Sequence, residues 1–187
     1  SCVQWFFGTV GQQQIFRFLH KSVGQVIISL VPVAAGSPEL LIADEPTTAL
    51  DVTVQAGYLQ LLSDLKKERD LSLMIISHDF GVINRISDKV VVMYAGSAME
   101  YGDVKELWKE PKHPYTIGLL NSLPHIGNRR ERLVSIPGSA PIPGEITAGC
   151  PFAPRCDKAT EACRKETPKT IDGVHTFVRC LRYADKG

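Results

Sequence analysis

Residues 40–51 read Leu-Leu-Ile-Ala-Asp-Glu-Pro-Thr-Thr-Ala-Leu-Asp, and this stretch decides how the rest of the chain is interpreted. It opens with four apolar residues that do not alternate with polar ones. Such a run is typical of a strand in a parallel sheet that is covered on both faces. Asp44 and Glu45 follow the run, and Pro46 ends it. Because ligands of open α/β sheets bind at the carboxyl ends of the strands, the two acids fall where a ligand is expected.

Adjacent acids at a strand end suit phosphoryl transfer. In such a site Asp44 would hold Mg²⁺, directly or through water, and Glu45 would accept a proton from the attacking water. A bare Asp-Glu pair is, however, more often a solvated strand end. A single histidine such as His78, which follows a later apolar run, is likewise more often a surface or core residue. The residue types alone therefore leave the function open.

The elements around this stretch indicate an α/β fold with a mostly parallel sheet. The predicted strands are 39–43, 72–77 and 90–94, with a short fourth strand at 98–101. Asp51 is expected to cap a helix from Val52 to about Arg69, and shorter helices are predicted at 80–86 and 103–110. The first helix carries an apolar stripe that is expected to face the core. The stripe consists of Val54, Tyr58, Leu61, Leu62 and Leu65.

Residues 40–51 resemble the Walker B and D-loop motifs of ABC-type ATPases, in the wording typical of the ATP-binding subunits of oligopeptide and dipeptide importers. The resemblance implies an ABC-type P-loop NTPase (RecA-like) core. It implies that Asp44 binds Mg²⁺, that Glu45 is the general base and that Asp51 contacts a second ATPase subunit. His78 lies 33 residues after Glu45 and is similar to the switch histidine, which binds the γ-phosphate and orients the attacking water.

Residues 1–36 depart from that family's pattern. The sequence contains no G-x-x-x-x-G-K-[ST] loop, which would cradle the β- and γ-phosphates. Residues 19–25 read Leu-His-Lys-Ser-Val-Gly-Gln where the family has L-S-G-G-x-x-Q. Truncation, a frame shift and divergence would each produce this, and we expect the sheet to be incomplete on its N-terminal side. We also expect the chain alone to be inactive as an ATPase.

Residues 111–187 resemble the C-terminal extension of peptide and nickel importer ATPases, so that the resemblance covers about residue 34 to the end. The predicted domains are therefore a divergent or truncated segment (1–36), the C-terminal part of an ABC ATPase domain (37–110) and the extension (111–187). Glycine, proline and serine are frequent from 136 to 149, which predicts an extended connector. The extension is expected to be irregular and cysteine-rich.

Four cysteines lie in this extension, at Cys150, Cys156, Cys163 and Cys180. Their spacings are C-x5-C, C-x6-C and C-x16-C, whereas structural zinc usually shows closer pairs. Spacing alone leaves three alternatives open: a metal cluster, a loose zinc site and four unrelated thiols. Resemblance to the importer ATPases implies one structural [4Fe–4S] cluster. Basic residues near in sequence could offset its negative charge, namely Arg155, Lys158, Arg164, Lys165 and Arg179.

Composition places few further limits on function. The chain has 187 residues, of which 44% are hydrophobic and 22% charged, and its net charge is +1. This suffices for one domain with a core and a small appendage, and it gives no reason to expect nucleic acid as a partner. The longest apolar stretch, 26–35, is too short to span a bilayer, and the first residues do not have the form of a signal peptide. We expect a soluble chain.

The resemblance implies a subunit that binds and hydrolyses ATP, with Mg²⁺, to energise the import of oligopeptides or dipeptides. Its partners would be a second ABC ATPase subunit, two transmembrane permease subunits and an extracytoplasmic peptide-binding protein. It would lie peripherally on the cytoplasmic face of the membrane. One alternative is an inactive fragment that retains only a metal-binding or assembly role. A DNA-repair type of ABC ATPase is a weaker alternative, because the cysteine-containing extension argues against it.

Overall fold

The computed structural model describes residues 4–5, 18–19, 39–48, 50–123, 135–142, 145, 148–173 and 176–186. The chain forms two compact units, residues 1–90 and residues 91–187, which are described separately below. Nearly all predictions for residues 1–36 concern residues outside the described ranges. Of residues 19–25, where the family has its signature, only the backbone of Leu19 is described. Among the described residues, no helix is both long enough and apolar enough to cross a membrane.

The first unit contains a parallel sheet and two helices. Its elements are β1 (Gln4–Trp5), β2 (Phe18–Leu19), β3 (Leu40–Asp44), α1 (Val52–Glu68), β4 (Ser72–Ile76) and α2 (Phe80–Ile86). Strands β2, β3 and β4 are neighbours in that order, and both pairs are parallel. In the β3–β4 pair, Leu40 lies opposite Ser72 and Asp44 opposite Ile76. The predicted α/β architecture with parallel strands is confirmed for this unit.

Strand β3 is buried on both faces, as its unalternating sequence predicts. Leu41 and Ala43 are fully buried, and Ile42, on the opposite face, is nearly so. Ile42 packs with Met74 and Ile76 of β4, and Leu40 borders this cluster. A slip of one residue would exchange the two faces of β3 and remove Ile42 from its contacts with Met74 and Ile76, so that this packing favours the observed register.

Helix α1 begins where the sequence predicts and ends one residue earlier. Asp51 caps its N-terminus, because Oδ1 accepts hydrogen bonds from the amides of Thr53 (3.0 Å) and Val54 (2.9 Å). The predicted stripe is wrong in part. Val54 and Leu61 are 45% and 42% exposed, whereas Tyr58, Leu62 and the unpredicted Leu59 are buried. Successive residues are about 100° apart around a helix, and the buried face is centred near Leu62, so that Leu61 turns towards solvent.

The second unit contains an antiparallel sheet and the cysteine-containing extension. Its elements are β5 (Lys89–Tyr94), which begins two residues before the boundary, β6 (Ser97–Asp103), α3 (Val104–Lys109), α4 (Pro114–Asn121), a 3₁₀ segment (Ala153–Arg155), α5 (Glu161–Lys165), β7 (Ile171–Gly173), β8 (Thr176–Val178) and a second 3₁₀ segment (Leu181–Lys186). The strand order within this unit is β5-β6-β8-β7.

Strands β5 and β6 are joined by the two-residue turn Ala95–Gly96. Both residues have positive φ, 46° and 77°, as a tight hairpin turn requires. β5 begins one residue before the predicted 90–94, whereas β6 is longer than the predicted 98–101 and continues to Asp103. Asp103 then caps α3 by accepting a hydrogen bond from the amide of Lys105, as its sequence predicts.

The extension is more regular than the sequence analysis expected. Strand β8 pairs antiparallel with β6, with Tyr101 opposite Phe177, and β7 pairs antiparallel with β8. The rings of Tyr101 and Phe177 stack, with their centroids 5.6 Å apart. The predicted mostly parallel sheet therefore does not describe this unit. Three-residue strands carry too little alternation to be recognised in sequence, and they form here because β6 offers an edge.

Two buried titratable groups join β6 to helix α4. The carboxylate of Glu100 accepts hydrogen bonds from the amides of Lys112 (2.7 Å) and His113 (3.0 Å). Burial raises the pKa of Glu100, and these hydrogen bonds oppose that rise. His113 caps α4, because its Nδ1 accepts a hydrogen bond from the amide of Tyr115, and burial lowers its pKa to about 4. Burial therefore favours the neutral imidazole of His113 at the start of α4.

We predict that Leu62→Ala destabilises the chain by about 2–5 kcal/mol, because it removes a side chain that is 1% exposed and leaves a cavity. The matched control is Leu61→Ala, the same change at the neighbouring, exposed position, which should cost less than about 1 kcal/mol. Urea-induced unfolding followed by circular dichroism measures both. Equal losses of stability would contradict the assignment of the buried face.

Candidate functional site

The carboxyl ends of β3 and β4 bring the predicted catalytic residues together. The amide of Glu45 donates a hydrogen bond to the carbonyl of Ile76 (2.8 Å), so that the pairing of the two strands continues one residue past Asp44. The segments that follow β3 and β4 therefore begin next to each other. Glu45 follows β3 directly, and His78 lies two residues beyond β4. Glu45 and His78 are 33 positions apart in sequence, yet their side chains are in direct contact.

Glu45 adopts an unusual backbone conformation and has both carboxylate oxygens engaged. Its φ is +46°, in the left-handed region that residues with a side chain seldom occupy. Oε1 lies 2.7 Å from Nδ1 of His78, and Oε2 accepts a hydrogen bond from the Thr48 hydroxyl at 2.8 Å. The amide of Thr48 also donates to the carbonyl of Glu45 (3.2 Å), which closes the turn. Strained residues held in this way are concentrated at functional sites.

His78 presents its ring to solvent. Its side chain is 64% exposed, whereas that of Glu45 is 25% exposed. Nδ1 faces Glu45, and Nε2 has no hydrogen-bond partner within the part of the chain that the structure describes. A carboxylate held between a hydroxyl and an imidazole can accept a proton from a nearby water. An exposed imidazole nitrogen can bind a further oxygen, such as one of a phosphate group.

The structure places the two other predicted residues near the strand end but not in this hydrogen-bonded group. Asp44 is the half-buried last residue of β3. Asp51 is exposed, and the described hydrogen bonds of its side chain are the two that cap α1. Within the described ranges, neither carboxylate bonds to Glu45 or His78. Their roles towards Mg²⁺ and a second subunit thus remain predictions.

Sequence reasoning missed two residues that hold this region. Thr48 binds the carboxylate of Glu45, and its position three residues later in a proline-containing turn was an available signal. Gln55 of α1 donates a hydrogen bond to Oδ2 of Asp79 at 3.4 Å, while Oδ1 of Asp79 caps α2 through the amide of Gly81. No sequence pattern indicates the contact of Gln55, since it joins two elements 24 residues apart.

The second candidate site is a pocket in the extension that all four predicted cysteines line. Cys150, Cys163 and Cys180 are buried, Cys156 is half-buried, and all four are free thiols. The other lining residues include two basic ones, Lys158 and Arg182, and, among the described residues, no aspartate or glutamate. His113 also lines the pocket, with its Nδ1 bonded to the amide of Tyr115, so that four sulfurs and one imidazole lie beside two basic residues.

Backbone contacts hold the cysteine segments close together. The amide of Cys150 donates a hydrogen bond to the carbonyl of Cys163 at 2.8 Å. Gly149 has φ +78°, and a Cβ there would lie 2.6 Å from the carbonyl oxygens of Cys163 and Arg164. Only glycine permits so close an approach, because any side chain would collide with backbone that cannot move aside.

Backbone amides influence three of the thiols. Each amide belongs to the residue two positions further along the chain; the pairs are Phe152 with Cys150, Lys158 with Cys156 and Arg182 with Cys180. Burial raises the pKa of each of these three thiols, and the amides oppose that rise. Amide donors directed at sulfur stabilise a thiolate, which is the form that binds metal.

Two details qualify the metal-site prediction. No group of three or more His, Cys, Asp or Glu side chains is arranged to hold a single metal ion anywhere in the described ranges. In addition, Arg155 is engaged away from the sulfurs: it donates hydrogen bonds to the carbonyls of Ile136 (3.0 Å) and Pro137 (2.8 Å) and to the hydroxyl of Tyr94 (3.2 Å). Arg182, which sequence reasoning missed, lines the pocket instead.

Comparison with known proteins identifies relatives of both parts of the chain. A family model described as "Oligopeptide/dipeptide transporter, C-terminal region" matches residues 99–163. The oligopeptide transport ATP-binding protein OppD of Haemophilus influenzae is 52% identical over 150 residues, which are 80% of this chain and 46% of that protein. The oligopeptide transport ATP-binding protein AppD of Bacillus subtilis is 46% identical over 152 residues, 81% of this chain and 46% of that protein.

The chain thus spans about half the length of the curated relatives it matches. The identity of 46–52% extends over four fifths of the chain, and the family model adds a match to residues 99–163, most of which lie in the extension. The predicted resemblance to oligopeptide and dipeptide transport ATP-binding proteins is confirmed, and the chain matches the C-terminal part of such proteins.

Proposed function

We propose that this chain supplies the C-terminal part of a subunit that binds and hydrolyses ATP to energise the import of oligopeptides or dipeptides. One observation carries the proposal: Glu45 and His78, 33 residues apart in sequence, meet at 2.7 Å just beyond two neighbouring parallel strands. Ligands of α/β sheets bind at this edge. The names of the relatives, oligopeptide transport ATP-binding proteins, support the same activity.

In this proposal the chain's own residues act on the γ-phosphate and on the attacking water. Glu45 accepts the proton of the water, and the hydroxyl of Thr48 holds its carboxylate in place. His78 uses its free nitrogen to bind a γ-phosphate oxygen and orient the water. Asp44 holds Mg²⁺, which offsets charge on the phosphate oxygens. The fold around these residues is proposed to be the ABC-type P-loop core.

Partners follow from the same proposal. Asp51, exposed at the start of α1, is proposed to contact a second ABC ATPase subunit. Two transmembrane permease subunits and an extracytoplasmic peptide-binding protein complete the importer, and the chain lies peripherally on the cytoplasmic face of the membrane. The 187 residues contain no phosphate loop, so that ATP turnover requires this element from outside them.

We further propose that the four cysteines ligate one [4Fe–4S] cluster, for which the residues present are suitable. Four thiols line one pocket that is free of carboxylates among the described residues, and amides are directed at three of the sulfurs. An arrangement that does not gather three ligands around one ion is compatible with a larger cluster. Its iron atoms would crosslink the loop at Cys150 and Cys156, helix α5 and the segment after β8, which is a structural role.

We predict that the purified chain hydrolyses ATP no faster than background, because the phosphate loop is absent from its sequence. Turnover should appear in a chimera in which residues 37–187 replace the matching part of the Haemophilus influenzae relative. In that chimera Glu45→Gln should lower kcat at least about 100-fold, since it removes the general base, while nucleotide binding persists. A coupled assay of phosphate release and equilibrium binding of a fluorescent nucleotide measure the two quantities.

The matched control is Glu68→Gln, the same change at an exposed position near the end of α1, which should leave turnover unchanged. Steady ATP turnover by the isolated chain, abolished by Glu45→Gln, would contradict the requirement for a phosphate loop. An inactive chimera with intact nucleotide binding would favour the alternative, an inactive fragment with a metal-binding or assembly role.

We predict that His78→Ala in the same chimera lowers kcat by about 30- to 1000-fold, or about 2–4 kcal/mol of barrier, and changes nucleotide affinity less than threefold. The reason is that His78 is proposed to act on the γ-phosphate and water, not on the base or ribose. Single-turnover kinetics separate the two effects. An unchanged rate would return His78 to the class of ordinary surface histidines.

We predict that anaerobic purification of the chain gives a brown protein with about four iron atoms per chain and broad absorbance near 400 nm. Changing any one of Cys150, Cys156, Cys163 or Cys180 to serine should remove most of this absorbance, while Cys2→Ser should not. Iron and sulfide analysis and absorption spectroscopy provide the measurement. A colourless anaerobic sample with stoichiometric zinc and no iron would refute the cluster.

A further inference from the structure

Cys163 has a side-chain hydroxyl beside its sulfur. The sulfur lies 3.3 Å from the hydroxyl oxygen of Thr160, and either atom could be the donor in a free thiol. At the other three cysteines, backbone amides oppose the rise in thiol pKa that burial causes. The contact with Thr160 is therefore the side-chain hydrogen bond that bears on the geometry of Cys163.

Thr160 occupies the N-cap position of helix α5 but does not act as a cap. An N-cap threonine usually accepts a hydrogen bond from a backbone amide in the first turn of its helix. Here the side chain makes no such bond, and its hydroxyl contacts the sulfur three residues later. Cys163 is 9% exposed and lines the cysteine pocket. The hydroxyl of Thr160 thus contacts a buried sulfur and does not bind an amide in the first turn of α5.

We propose that Thr160 is a positioning residue that donates a hydrogen bond to the sulfur of Cys163, orients it for metal ligation and sets the reduction potential of the bound cluster. The proposal rests on the proposed [4Fe–4S] cluster. A metal-bound sulfur carries no proton, so that ligation fixes the hydroxyl as the donor. Second-sphere groups of this kind orient ligands and tune metal centres.

The direction of the effect follows from charge. On reduction the cluster takes one electron from dithionite through a mediator dye, dithionite is oxidised, and no proton is required. The added negative charge is shared with the sulfurs, and a hydrogen-bond donor stabilises it. Donors to sulfur therefore favour the reduced form and raise the potential. Removing the hydroxyl should make reduction less favourable.

The test compares Thr160→Val, which keeps the shape and removes the hydroxyl, with Thr160→Ser, which keeps the hydroxyl. The matched control is Thr170→Val, the same change at an exposed position that does not line the pocket. Each full-length chain is reconstituted anaerobically with iron and sulfide. Dye-mediated potentiometric titration gives the potential, and iron analysis gives the loading. A merely structural role for Thr160 would not move the potential of a fully loaded chain.

We expect Thr160→Val to lower the equilibrium constant for reduction about tenfold, a shift of 59 mV to more negative potential for one electron. Thr160→Ser and Thr170→Val should match the wild type. Loss of iron in Thr160→Val that Thr160→Ser restores would also support the positioning role. An unchanged potential in Thr160→Val, or an equal shift in Thr160→Ser, would overturn the role of Thr160 alone. A wild-type chain that binds no iron would overturn the cluster together with it.

Discussion

The parallel pairing of β3 with β4 is the constraint on which the contact between Glu45 and His78 depends. In the observed register Asp44 lies opposite Ile76, and the next amide, that of Glu45, bonds to the carbonyl of Ile76. A slip of one residue would turn every side chain of β3 to the other face and move Glu45 away from His78. The packing of Ile42 against Met74 and Ile76 opposes that slip, so that hydrophobic contacts help to fix the geometry of a polar pair at the strand ends.

The parts of the fold that could be predicted are those whose cause is local. Four consecutive apolar residues indicate a strand buried on both faces, and Asp51, Asp79 and Asp103 cap the helices that follow them. The contact of Thr48 with Glu45 has only a partial signal in the sequence, namely a spacing of three residues across a proline-containing turn. It depends on the positive φ of Glu45, a conformation that the identity of the residue disfavours and that only the surrounding packing imposes.

The cysteine pocket illustrates the limit of spacing as evidence. Sixteen residues separate Cys163 from Cys180, and no sequence pattern predicts that so long a segment brings the two cysteines into one pocket. In the structure β8 pairs with β6, and the amide of Arg179 extends that pairing to the carbonyl of Met99. Cys180 follows directly. An antiparallel contact with a distant strand, formed by only three residues, thus delivers the fourth sulfur.

The two candidate sites differ in how many of their proposed binding groups lie within this chain. The pocket of four cysteines lies entirely within the second unit, and its donors, basic border and backbone contacts come from that unit. The Glu45–His78 pair lies in the first unit and is exposed, with one imidazole nitrogen left for a ligand. The proposed phosphate binding needs a phosphate loop, which the 187 residues do not contain. The proposed metal binding therefore does not depend on the proposed ATP hydrolysis, and the two proposals can be tested independently.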